Sequence, residues 1–279
     1  MSGTLSVVAT PIGNLEDITL RALRILREAR VIAAEDTRRT AKLLNHYSIT
    51  TPTLSFHEHN SRARMPQLLT RLEAGEHVAL VTDAGTPGVS DPGVELVTAC
   101  RDRGITVESI PGASASLTAA VASGFPLNPL TVLGFIPIKA KDRKAWWETV
   151  AGLAGTVVFF ESPHRISSTL SEIASYLVDR QIMVGRELTK AHEETVRSRA
   201  DDPRFLSINR KGEFTIVIGP HQETGRITKE VSDSDVMHEF LSFDTTGAGG
   251  GRRSAITQVA QKLGLSVNQV YQAIERAKL

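Results

Sequence analysis

The stretch Asp83-Ala84-Gly85-Thr86-Pro87-Gly88-Val89-Ser90-Asp91-Pro92-Gly93 constrains the fold more than any other. The apolar run Val78-Ala79-Leu80-Val81 leads in and reads as a buried strand. Gly93 to Arg103 leads out and reads as a helix, with Val94, Leu96, Val97 and Cys100 at apolar positions. Between them lie three glycines, two prolines and two aspartates, more fixed backbone than a surface turn needs. Glycine lets the main chain approach a ligand closely, and proline fixes φ beside it. Asp83 falls at the carboxyl end of its strand, where open α/β sheets bind ligands. The plainer alternative is a rigid turn with Asp91 capping the next helix.

The same rhythm of strand, loop and helix runs through the first half. Leu5–Ala9 is a strand that ends at Thr10-Pro11-Ile12-Gly13-Asn14. Asn14 is expected to cap a helix, with Glu16 and Asp17 in its first turn and Ile18, Ala22, Leu23, Leu26 and Ala29 as its apolar stripe. Val31–Ala34 is a second strand, ending in Glu35-Asp36-Thr37-Arg38-Arg39, and a helix through Leu43 and Leu44 follows. A short strand at Thr53–Phe56 ends in His57-Glu58-His59-Asn60, and a helix spans Arg62–Glu73. Ile105–Ile110 is a further strand, ending in Pro111-Gly112-Ala113-Ser114-Ala115-Ser116 and a small-residue helix up to Gly124. This alternation predicts an α/β fold with a largely parallel sheet and helices on its faces.

Phe125-Pro126-Leu127-Asn128-Pro129 breaks the rhythm and is expected to separate a domain at 1–124 from a second at 125–222. In the second half, strands are expected at Leu130–Phe135, Thr156–Phe160, Ile182–Val184 and Phe214–Ile218. Helices are expected near Lys141–Leu153 and Arg165–Leu177. A third segment, 232–279, contains the flexible run Gly247–Gly251 and then two helices. The first is Ser254–Leu263. The second follows Gly264-Leu265, opens with the capping-box pair Ser266 and Gln269, and carries Val270, Tyr271 and Ile274. The pair resembles a helix-turn-helix unit; a helical hairpin docked on a domain or partner chain is the equal alternative.

Several chemistries lack their signatures. No GxxxxGK[ST] occurs, no GxGxxG follows the first strand, and neither HExxH nor GxSxG is present. A metal site is not expected. The single cysteine, Cys100, excludes an intrachain disulfide, and no apolar stretch is long enough for a membrane span, so the expectation is a cytoplasmic protein. A net charge of +1 gives no compositional case for nucleic-acid binding, which must come from local clustering. What remains is a rim of loops at carboxyl strand ends. It combines close-approach glycines with acids, Arg38, His57, His59, Asn60 and the helix-start Ser114, and suits a small molecule with a polar substrate alongside.

Those loops resemble the tetrapyrrole-methylase superfamily, through Thr10-Pro11-Ile12-Gly13-Asn14-Leu15, Ala34-Glu35-Asp36-Thr37-Arg38 and Asp83-Ala84-Gly85-Thr86-Pro87. Pro111–Ala115, Phe160-Glu161-Ser162-Pro163-His164-Arg165, Arg186-Glu187-Leu188-Thr189-Lys190 and Gly212-Glu213-Phe214 extend the match. Within the superfamily they are similar to the bacterial 16S ribosomal RNA (cytidine-2′-O)-methyltransferases. The resemblance implies two α/β domains with S-adenosylmethionine in the cleft between them, a homodimer, and a C-terminal helical appendix found in the RNA branch. It implies cofactor contacts from Pro11, Asp83, Gly85, Thr86, Val89, Ser114 and Ala115, joined by Phe160, Glu161, Leu188 and Phe214. The implied substrate is a ribose 2′-hydroxyl of a cytidine in 16S rRNA of the small ribosomal subunit; no DNA or membrane partner is expected.

At the acceptor site the candidate bases are Glu35, Asp36, His59 and Glu161, with Arg38 positioning the RNA backbone. Asn60, Arg165 and Lys190 are expected to hold the ribose and neighbouring phosphates. Basic clusters at Arg62/Arg64, Lys139/Lys141/Arg143/Lys144 and Arg252/Arg253 are expected to track phosphates, unless they are ordinary solvated faces. A precorrin-type tetrapyrrole C-methyltransferase on the same scaffold is the alternative activity.

Overall fold

The computed structural model describes residues 3–88, 93–221, 232–245, 252–263 and 267–277. The chain forms two compact units, Met1–Gln222 and Glu223–Leu279. The first contains two five-stranded sheets. Strands β1 (Thr4–Val8), β2 (Val31–Ala34), β3 (Thr53–Ser55), β4 (Val78–Val81) and β5 (Thr106–Ile110) build one, in the order β3-β2-β4-β1-β5. Every pairing in it is parallel. Helices α1 (Leu20–Glu28), α2 (Thr37–His46), α3 (Ser61–Glu73) and α4 (Val94–Asp102) connect the strands. β1, β2 and β4 are covered on both faces, as parallel strands must be: Leu5, Val7 and Leu80 pack with Leu68, Leu72 and Leu96, while Val8, Ile32 and Val81 pack with Leu26 and Ile25. Because β1 lies between β4 and β5, the loops that leave these three strands emerge side by side.

Asn14 caps only a single 3₁₀ turn, Leu15–Asp17, by accepting the Glu16 N–H. The helix proper starts later, at α1, where Thr19 accepts the Ala22 N–H. Two capping side chains in succession split the expected helix start in two. In α4 the buried residues are Leu96 and Cys100, and Val94 is exposed.

The second sheet is mixed, unlike the all-parallel first. Strands β6 (Leu130–Phe135), β7 (Thr156–Glu161), β8 (Gln181–Arg186), β9 (Glu194–Arg199) and β10 (Phe214–Ile218) lie in the order β6-β7-β10-β8-β9. Only β6 and β7 pair in parallel; β10 runs antiparallel to β7 and β8, and β9 antiparallel to β8. β9 is an additional edge strand, half-buried in alternation, with charged residues on its open side as edge strands require. Helix α5 (Ala115–Ser123) leaves the first sheet but packs on the second, its Ala119 and Ala120 lying against Val158, Met183 and Val217. The far face of the second sheet is covered by α6 (Ala140–Gly152) and α7 (Ile166–Tyr176), around Trp147, Phe159, Ile173 and Ile216. Arg180 is buried beside this core and donates to four main-chain carbonyls, Val150, Leu153, Gly155 and Gly219, at 2.7–3.3 Å.

The second unit contains three described helices where a pair was expected. These are α8 (Asp233–Thr245), α9 (Arg252–Leu263) and α10 (Val267–Arg276), around a shared core of Val236, Phe240, Ile256, Val259, Val270 and Ile274. Arg276 pairs with Asp233 at 2.8 Å and ties α10 to the start of α8. An isolated helical hairpin buries too little surface; α8 supplies what the pair lacks. Gly247–Gly251 and the turn Gly264–Ser266, with its capping-box serine, lie outside the described residues. Among the described residues no helix is long and apolar enough to cross a membrane.

Candidate functional site

The central loop and the first loop are stitched together by main-chain bonds. Thr10 N–H donates to the Gly85 carbonyl at 2.9 Å, and Gly85 N–H donates back to Thr10 at 3.0 Å. Gly85 holds φ +80°, a conformation that a side chain would strain. Next to it, Ser114 caps α5 and accepts from the Leu117 N–H. These segments form one wall of a cavity of about 340 Å³. That wall contains Ile12, Glu35, Arg39, Asp83, Ala84, Gly85, Thr86, Ser114, Ala115 and Ser116. The opposite wall comes from the second sheet: Phe135, Phe160, Glu161, Ser162, Pro163, Leu188, Glu213, Phe214 and Thr215. Ile12, Leu188 and Phe214 are themselves buried, so the walls are firm as well as apolar.

The acids of the rim are interlocked. Glu35 Oε2 accepts the Asp83 N–H at 3.2 Å, Asp83 Oδ1 accepts the Asp36 N–H at 3.0 Å, and Arg39 approaches Asp83 Oδ2 at 3.4 Å. This ties the ends of β2 and β4. Asp36 lies apart from the cavity lining. It caps α2 and holds Arg38 through both carboxylate oxygens, at 2.8–3.1 Å. Hydrogen bonds from the Arg38 side chain and then its N–H hold Asp36 far below the usual carboxylate range, which makes it a poor base. The Arg38 side chain is itself exposed.

Glu161 does line the cavity, but it is 2% exposed and fully engaged. Its Oε1 accepts from Ser162 N–H and Arg165 at 2.7 Å, and its Oε2 from Thr169 at 2.7 Å, with Arg143 at 3.8 Å. A carboxylate held by this many partners fixes the wall of the cavity. Arg165 is held on the same carboxylate at 2.7 Å and on the Ile136 carbonyl at 3.1 Å. Lys190 is likewise bound to Glu187 and Glu213, at 2.8 and 3.0 Å. Asn60 clasps its own loop: its oxygen accepts the His57 N–H, and its amide reaches Ser55 and the His57 ring.

His59 borders a second, wider polar cavity of about 970 Å³, with His57, Glu58, Ser61, Arg62 and Glu95. Glu35 lines both cavities. Of the expected cofactor contacts, Pro11 faces a small pocket beyond Asp83, and its neighbour Ile12 takes the cavity position. Val89 lies outside the described residues. Phe135, Ser116, Pro163, Glu213 and Thr215 were not anticipated; the motifs flanking most of them were the available signal. The basic cluster on α6 is also thinner than its sequence, because Arg143 is spent on Glu172 at 2.7 Å and Lys144 lies 3.9 Å from Glu148. The side chains of Arg252 and Arg253 lie outside the described residues. Among the described residues no group of three or more His, Cys, Asp or Glu is placed to hold a metal ion.

Two sheets that enclose a ligand-sized cavity between glycine-rich loops define a class, and sequence comparison agrees. Residues 4–203 match the Tetrapyrrole (Corrin/Porphyrin) Methylases, and the chain belongs to that family. It is 42% identical over 278 residues to the Ribosomal RNA small subunit methyltransferase I of Halalkalibacterium halodurans, covering 96% of this chain and 93% of that one. The protein of the same name from Thermotoga maritima is 45% identical over 218 residues, covering 77% of this chain and 98% of that one. The rest of this chain therefore has no counterpart there. Among solved structures, uroporphyrin-III C-methyltransferase from Thermus thermophilus, complexed with S-adenosyl homocysteine, superposes with a TM-score of 0.56 at 19% identity, covering 78% of this chain and 97% of that one. Diphthine synthase gives 0.62 at 14% identity, covering 78% and 90%. These likenesses concern the fold.

Proposed function

We propose that this chain is an S-adenosylmethionine-dependent methyltransferase of small-subunit ribosomal RNA, acting on the ribose 2′-hydroxyl of a cytidine in 16S rRNA. The observation that carries this reading is the identity of about two residues in five, along nearly the whole chain, to relatives named for that RNA. The domains of the reading are 1–124, 125–222 and 232–279, with the cofactor between the first two. It works as a homodimer, a state checked by its mass in light scattering. S-adenosylmethionine supplies, when bound, a methyl group on a sulfonium centre.

The residues present fit that cofactor. The N–H groups at the start of α5, around Ser114 and Ala115, suit a carboxylate, and Ile12, Phe160, Leu188 and Phe214 offer apolar walls that exclude water. Asp83 brings an acid to the cavity, and Gly85 and Thr86 let backbone approach it. Purified protein, labelled S-adenosylmethionine and small ribosomal subunits from a strain lacking this chain test the reading. Label is expected on the ribose of one cytidine of 16S rRNA. Label that enters a precorrin instead, or no rRNA at all, would sink it.

Gly13 gives a direct check on the cavity wall. A Cβ there would lie 2.5 Å from Lys190 Cγ, 2.7 Å from Thr189 Oγ1 and 2.8 Å from the Leu188 carbonyl. The loop it meets is already tense, with Glu187 at φ 52° and Thr189 at φ 66°, and Asn14 N–H donates to Thr189 at 3.0 Å. A Gly13→Val variant must push Leu188 from its place. Overpacking of this kind costs about 1–3 kcal/mol, so S-adenosylmethionine affinity is expected to fall about tenfold or more in calorimetry, with circular dichroism unchanged. Equal affinity in a folded variant would remove the Leu188 loop from the cofactor site.

A further inference from the structure

We propose that Phe135 is a nucleobase-stacking residue, against whose exposed ring an unpaired base of the RNA lies at the mouth of the cavity. The inference rests on the RNA methyltransferase reading above and adds to it the residue that receives the base.

The placement of this ring is a product of strand geometry. β6 is an edge strand, paired in parallel with β7. Along β7, Val157 and Phe159 face the α6–α7 core, while Val158 and Phe160 face the other way, toward α5 and the cavity. The pairing starts regularly, with Val132 opposite Val158. Continued regularly, it would set Gly134 opposite Phe160. Instead the register shifts, and Phe135 stands opposite Phe160. The extra residue is taken up where Gly134 sits at φ +68°. Bulges re-aim side chains in this way, and here the result is an aromatic ring on the cavity face where a glycine would otherwise lie.

That ring is firmly held yet left open. Phe135 and Phe160 lie 5.5 Å apart at 53°. The next residue, Ile136, is 1% exposed, and its carbonyl accepts from Arg165 at 3.1 Å. Phe135 itself remains 55% exposed. The segment then presents exposed Ile138, Lys139 and Lys141, and neither lysine makes an ion pair among the described residues. A pre-positioned aromatic face with free cations close by in sequence is what single-stranded RNA uses: bases stack on the ring and phosphates meet the ammonium groups. A ring serving only the protein's interior has no need of a bulge that turns it to the rim.

The test uses the full-length protein and small ribosomal subunits, with Phe135→Ala and Phe135→Trp. Stacking losses on alanine substitution correspond to about 5- to 150-fold. Phe135→Ala is therefore expected to lower kcat/KM for subunits about tenfold or more, with S-adenosylmethionine affinity within about twofold of the parent. Phe135→Trp, which keeps a stacking face, is expected to restore most of the loss. An alanine variant as active as the parent overturns the inference, and so does failure of tryptophan to rescue. A matching loss of S-adenosylmethionine affinity, or a changed mass in light scattering, assigns the ring to the cofactor or to subunit contact and also overturns it. Failure of the parent protein to methylate subunits would instead strike the RNA reading itself.

Discussion

An Arg180→Met variant is expected to lose about 3–5 kcal/mol of stability in the second sheet. Arg180 is 1% exposed, and among the described residues no acid pairs with it. Burial pushes its guanidinium down to about 10, so it still carries its charge at neutral pH. It is held there by carbonyls from three places that must stay together: the end of α6, the turn before β7 and the residue after β10. Methionine fills much of the same space but donates nothing. The carbonyls of Leu153, Gly155 and Gly219 would then be stranded, at about 1–3 kcal/mol each, less the relief of no longer burying a charge. The two tryptophans of the chain, Trp146 and Trp147, both sit on α6 against this core. Their emission during urea unfolding therefore follows this region. An unchanged midpoint would mean that water or other groups already satisfy the carbonyls.

Arg180 also shows which parts of the molecule were legible in the chain. The loop residues were, because their requirements are local: Gly85 needs a positive φ, Ser114 starts a helix, and Asp83 ends an apolar strand. Partnerships across long separations were not. Arg143 looked like one cation of a basic cluster, yet its partners Glu161 and Glu172 are brought to it by folding. The carboxylate partners of Arg165 and Lys190 were hidden for the same reason.

The sheet errors have equally physical causes. β9 turns Glu194, Val196 and Ser198 to its half-buried face, a pattern an edge strand tolerates but one that hides it in a polar stretch. α8 begins with Asp233, Ser234 and Asp235, and its described core-facing residues, Val236, Met237 and Phe240, are few. Phe135 was invisible as a site residue because regular alternation points it away from Phe160; only the bulge at Gly134 turns it round.

Glu35→Gln is expected to slow methyl transfer by about 10²-fold or more in a single turnover. Of the acids proposed for the acceptor site, Glu35 is the one that lines both the cavity between the two sheets and the polar cavity beside His57 and His59. A neutral ribose hydroxyl is a weak nucleophile, and a carboxylate at that boundary can take its proton as the new bond forms. Glutamine is nearly the same size and still accepts the Asp83 N–H that Glu35 Oε2 holds at 3.2 Å. It keeps the lock between β2 and β4 and removes only the basicity, so S-adenosylmethionine affinity is expected to stay within about twofold. Asp36→Asn serves as the contrast. Its carboxylate is spent on Arg38 and the α2 cap, so its loss is expected to fall on stability more than on the transfer rate. Positioning alone is worth roughly 7–11 kcal/mol in reactions of this kind, enough to dispense with a base. Full-rate transfer by Glu35→Gln, with normal cofactor binding, would show that positioning suffices or that another group, His59 first, takes the proton.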